Sequence, residues 1–167
     1  MIPSILCPKI LAFIIGEVTR QGYDVETTGG AERVVYMGEA WNLARQLRNS
    51  KIYFPTYADI QQLGRMVEPA KNYNGFRTCN VGVGAWVAPS FVNVPILVRQ
   101  LIEKHGVLFQ GTNQATRQDA DAFYVAFEKV HPFLDGNGRV GKILHNWVLG
   151  TLEEPVLVAD YFGHGIP

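Results

Sequence analysis

In the first half of the chain, apolar positions recur at helical spacing in three stretches separated by polar or glycine-containing segments. The run "ILAFIIGEVTR" predicts a helix over residues 10–20. Trp41, Ala44 and Leu47 predict a second over 40–48, and the intervening "ETTGGAE" (26–32) reads as a loop. Ile60, Leu63 and Val67 share one face of a third helix over 58–67, which Pro69 ends.

The pattern then changes. Between residues 73 and 89, "YNGFRTCNVGVGAWVAP" combines Asn-Gly with alternating valines and glycines and predicts a short glycine-rich β-hairpin, exposed as a flap. A helix over 94–105 carries Leu97, Leu101 and Ile102, opens near Asn93 and Pro95 and stops at Gly106. From about Gln114, the residues Ala120, Phe123, Phe127 and Val130 form an apolar stripe that runs into His131. Helical spacing resumes after Gly141 in "KILHNWVL", so "HPFLDGNGRVGK" (131–142) is the junction between two core helices.

Composition narrows the class of protein. A chain of 167 residues with 47% apolar and 18% charged residues is expected to fold as a single domain over 1–167. Its parts are N-terminal helices (1–70), the flap (73–89), core helices (90–150) and a tail (151–167). Fifteen basic and fifteen acidic residues cancel, which leaves no broad electrostatic footprint for nucleic acid or an anionic membrane. Any bound anion must be held locally. Cys7 and Cys79 lack a CxxC or Cys/His cluster, which argues against zinc and fits reduced thiols, with a single bridge between them left open. The apolar start has no cleavage site of secretory type, and no run approaches the ~20 apolar residues of a membrane span. The expected location is cytoplasmic, with delivery into another cell left open.

The junction carries the chemistry. Gly136 and Gly138 permit a turn that aims successive N–H groups at one point, an anion nest at a helix start. Arg139 and Lys142 lie one turn apart where the macrodipole disfavours cations, so something negative should compensate, and a polyphosphate suits. Asp135 reads as the N-cap, as a ligand to magnesium accompanying the phosphates, or as both at once. Asn137 is a turn residue or an amide donor to a phosphate oxygen. His131 either caps its helix or removes a proton from an attacking hydroxyl, and Phe133 anchors the loop on the core. Two other readings fail. "GNGRVGK" has the spacing of a P-loop, but Ile143 stands where Ser or Thr is required and a helix precedes it. "DGNGR" starts like a calcium loop, but Arg139 occupies an oxygen-ligand position.

"HPFLDGNGRVGK" resembles the Fic family signature H-x-F-x-[DE]-G-N-G-R-x-x-R at every fixed position but the last, where Lys142 replaces arginine. The resemblance implies an all-α, mainly helical fold with a small β-hairpin flap, and transfer of AMP from ATP to a Ser, Thr or Tyr hydroxyl of a target protein. By resemblance, His131 is the general base, Asp135 the Mg2+ ligand, and Gly136, Asn137, Gly138, Arg139 and Lys142 the nucleotide site. Val83, Gly84, Ala85 and Trp86 belong to the flap that receives the target by strand addition. Lysine cannot grip phosphate bidentately as arginine does, so Lys142 leaves room for another donor or moiety (UMP, phosphate or phosphocholine). A degenerate nucleotide- or partner-binding domain is the third alternative. The family's inhibitory pattern, [ST]-x-x-x-E-[GN], is not evident. Thr28 to Glu32 comes nearest but is followed by Arg33, so restraint is expected from a separate, antitoxin-like inhibitor protein or not at all. His105 and His145 read as helix residues, His164 as part of a solvated tail, and Trp86 as packing.

Overall fold

Six helices and one hairpin make up the computed structural model, which describes residues 6–109 and 115–162. Helix α1 (Pro8–Arg20) starts with proline in its first turn, where the missing N–H costs nothing. It buries Ile10, Ile14 and Val18 against α2 (Thr28–Asn49). The expected loop at 26–32 is instead the entry to α2, which is 22 residues long. Thr27 caps it by accepting the Gly30 N–H at 3.2 Å. A Cβ on Gly30 would stand 1.9 Å from the Asp24 carbonyl oxygen, so this glycine serves close packing of a helix start on the preceding turn.

Helix α3 (Tyr57–Val67) opens with a reciprocal capping box between Thr56 and Asp59 and buries the predicted stripe of Ile60, Leu63 and Val67. The hairpin is shorter than expected. Only β1 (Gly82–Val83) and β2 (Trp86–Val87) pair, in the register Gly82↔Val87 and Val83↔Trp86, and residues 73–81 are irregular. Helix α4 (Val94–Gly106) follows a 3-10 turn, and α5 (Arg117–Val130) begins with a second capping box, Thr116 with Asp119. Gln114 and His164 lie outside the described residues.

Helix α6 (Asn137–Leu149) starts five residues before the predicted "KILHNWVL" and is the axis of the fold, packed by α2, α3 and α5. It is buried on every side, including polar Asn137, Arg139, Lys142, His145 and Asn146. Such a helix demands partners for each polar group. Asn146 finds them in the chain that returns beside α6, accepting the Val156 N–H at 2.7 Å, and His145 in Asp121 at 2.7 Å. Cys7 and Cys79 are both free thiols. Among the described residues, no helix is long and apolar enough to cross a membrane.

Candidate functional site

The site forms where α5 ends and α6 begins. His131 is the C-cap of α5 in the left-handed region, φ 50° and ψ 60°. For a residue other than glycine this costs about 1–3 kcal/mol and persists only where neighbours impose it. Arg77 does so: its Nε donates to the His131 carbonyl at 2.8 Å and its backbone N–H to the Pro132 carbonyl at 2.9 Å. The same buried guanidinium donates to the carbonyls of Cys79 and Pro89, on both sides of the hairpin, so one side chain ties the flap to the end of α5. The imidazole is largely buried, with Trp86 and Phe162 edge-on to it at centroid distances of 5.9 and 5.6 Å.

Beyond His131 the loop is fixed from inside. Phe133 is fully buried and packs against Phe76 at 5.4 Å. The Asn137 side chain accepts the Phe133 N–H and donates to the Phe133 carbonyl, both at 2.9 Å, so its amide braces the loop and is not directed at a ligand. Asn72 donates to the Asp135 carbonyl at 2.7 Å. The N-cap is Gly136, at φ 81°, one residue after the aspartate expected there. Asp135 instead accepts the Gly136 N–H through Oδ1 at 2.6 Å.

These contacts bring His131, Asp135, Gly136, Asn137 and Gly138 around one cleft of about 200 Å³, which Val83, Gly82 and Gln21 help to close. That volume is below the about 300–1,000 Å³ of drug-sized ligand sites, and suits phosphates better than a whole nucleotide. Of the flap residues, Val83 lines the cleft and Trp86 packs on His131, whereas Gly84 and Ala85 are exposed at the tip. A larger groove, about 520 Å³ at the start of α2, is lined by Glu26 and Glu32 with no basic residue and is poorly matched to an anion.

Arg139 and Lys142 do not line the cleft; both are buried beneath it. Arg139 donates to Glu68 Oε2 at 2.9 Å and to the Val67 carbonyl at 3.2 Å, and lies 3.5 Å from Asp135 Oδ1. Lys142 is bonded to Asp160 and to the Val158 carbonyl, with Glu17 Oε2 3.9 Å away. Burial lowers the Lys142 pKa despite the opposing pull of Asp160. The compensating negative charge expected from a polyphosphate is therefore supplied by the protein's own carboxylates.

Asp135 is a different case. Burial works to raise its pKa, but the Lys71 hydrogen bond, the Arg139 charge and the Gly136 N–H together outweigh it and hold the carboxyl below its usual range. Its Oδ2 accepts from Lys71 Nζ at 2.5 Å and from the Tyr23 hydroxyl at 3.1 Å. Among the described residues there is no group of three His, Cys, Asp or Glu able to hold a metal. A single carboxylate nevertheless suffices for a hard cation that shares its shell with phosphate oxygens and water. Lys71, half exposed, already occupies the cation position beside Asp135, and its withdrawal would leave that oxygen to a metal.

The family pattern of Fic/DOC proteins matches residues 54–149. The chain belongs to the Fic/DOC family. Its members are commonly transferases. The matched span runs from before α3 to the end of α6, so Gln21, Tyr23 and Asp160, which close or charge the Fic site, come from outside it. The fold is similar to that of a Fic domain-containing signalling protein from Bacteroides thetaiotaomicron, with a TM-score of 0.65, 15% identity, and coverage of 87% of this chain and 67% of that one. It is similar also to Fic-1 from C. elegans, with a TM-score of 0.65, 18% identity, and coverage of 90% of this chain and 51% of that one. At these identities the likeness is one of fold, and the chain spans about half the length of the nematode structure. No curated protein matches the sequence.

Proposed function

We propose that this Fic protein transfers AMP from ATP to a hydroxyl side chain of a target protein. One observation carries the reading: an imidazole and the glycine-bounded start of a helix share a cleft with a single carboxylate. The first N–H groups of α6 have no partner within the helix and receive phosphate oxygens at the positive end of its dipole. Arg139 and Lys142 stay with their own carboxylates beneath the cleft, so the helix N–H groups and dipole receive the phosphate charge.

The target hydroxyl oxygen attacks the α-phosphorus, forming an O–P bond as the bond to the β-phosphate oxygen breaks and pyrophosphate leaves. The hydroxyl proton passes to the ring nitrogen of His131 remote from Glu128. Positioning and charge stabilisation dominate such a transfer. Asp135 is the residue that would hold Mg2+, which when bound neutralises phosphate charge. The exposed hairpin receives the target backbone by strand addition, with Trp86 holding the plane of the His131 ring.

Intact-mass spectrometry after incubation with ATP and magnesium tests the proposal, with wild-type protein and His131→Ala compared. The wild type should gain the mass of AMP on itself or on an added target, and the variant should not. Burial of Lys142 against Asp160 favours a second reading, in which a donor that needs no terminal cation is used. A panel of nucleotide and phosphocholine donors run in the same assay separates the two by the mass added.

A further inference from the structure

Glu128 lies three residues before His131 on α5 and the transfer described above gives it no task. It is 2% exposed, yet no lysine or arginine pairs with it among the described residues, because Lys142 commits its ammonium to Asp160, Val158 and Glu17. Its Oε1 accepts no hydrogen bond from a described residue. Its Oε2 lies 4.0 Å from His131 Nδ1, ion-pair distance though longer than a hydrogen bond. The fold makes room for this carboxyl: a Cβ on Gly141 would stand 2.8 Å from Glu128 Oε1 and 2.9 Å from the Tyr124 ring. A buried carboxyl without a hydrogen-bonded cation costs stability, and such groups persist where they have a task.

We propose that Glu128 is the positioning residue of this site, its carboxylate standing behind Nδ1 of His131 so that the other ring nitrogen faces the cleft and the imidazolium formed on proton uptake is stabilised. The inference rests on His131 being the base. It follows the general logic by which an acid orients an imidazole. Burial pushes the Glu128 carboxyl up to about 7, with Lys142 of α6 opposing and Asp160 of the C-terminal segment adding to the rise. Tyr124 faces it from its own helix, and Glu17 and Arg20 of α1 stand beyond Lys142. The proposal stands on the placement of this buried carboxyl 4.0 Å behind His131 Nδ1.

The test is the titration of the His131 imidazole by NMR in the full chain, wild type against Glu128→Gln. The imidazole should titrate lower in the variant by about one pH unit, and kcat should fall roughly tenfold or more with KM unchanged. Glu128→Asp, which keeps the charge and withdraws it by one methylene, should lie between the two, and it decides by the same criterion if the Gln variant does not fold. An unchanged His131 titration overturns the proposal. That readout needs no turnover, so failure of the transferase reading and failure of this one are told apart.

Discussion

The junction of α5 with the start of α6 has two sides, and they obey different rules. The upper side presents glycines, an imidazole and a carboxylate to a cleft. The lower side sinks Arg139 and Lys142 into carboxylates from four other segments: Glu68 after α3, Asp135 of the loop, Glu17 of α1 and Asp160 of the C-terminal segment. On the upper side, a substitution should change chemistry and leave the fold intact. On the lower side, it should change the fold first. The contrast teaches that cations at a helix start are not by themselves evidence of an exposed anion site, because a protein can supply the anions itself.

The largest effect expected is on the upper side. His131→Ala should lower the transfer rate by about 10²–10⁴-fold while nucleotide binding, followed by calorimetry, and the melting temperature change little. Arg139→Met should do the reverse, costing about 1.5–3 kcal/mol as read from urea midpoints, because the buried bond to Glu68 is lost while Arg33 still pairs with Glu68 and Lys71 with Asp135. A Met variant as stable as the wild type would break the comparison.

Glu128 sharpens it through pH. Its carboxyl moves from an ordinary 4.5 to about 7 on folding, so the folded state binds the proton more tightly. The resulting cost is absent below the unfolded pKa, grows between the two values and is complete above the folded one, at roughly 3 kcal/mol. Glu128→Gln should therefore raise the denaturation midpoint in alkaline buffer and leave it unchanged in acid. The smallest effect is at the rim. Lys71→Ala removes the half-exposed cation from Asp135 and should tighten Mn2+ binding, measured by paramagnetic relaxation, by less than about fivefold.

The helical stripes were legible because each is a local repetition: Ile60, Leu63 and Val67, or Phe123 and Phe127, repeat within a turn or two. The junction was legible because its residues are consecutive. Other features were not. "TTGG" hides a helix start because Gly30 answers to Asp24, whose backbone passes beside it, and sequence spacing does not show that contact. Arg77 sits in an unremarkable "FRTC", yet its guanidinium joins Cys79 and Pro89 to Val130 and His131. Asn72, Tyr23 and Asp160 reach the junction from 63, 112 and 18 residues away in the chain. Of the two readings for the Asn137 side chain, spacing alone could not choose: an amide suited to phosphate is equally suited to the Phe133 backbone, and the fold uses it there.

The central claim is that phosphates are received by the backbone at the start of α6, beside His131. Amide chemical shifts followed while Mg-ATP is titrated into ¹⁵N-labelled protein test it most directly. Saturable shifts at Gly136, Asn137 and Gly138, reproduced by pyrophosphate, are the predicted result. Shifts confined to the groove between Glu26 and Tyr36, with these three amides unmoved at saturation, would contradict it.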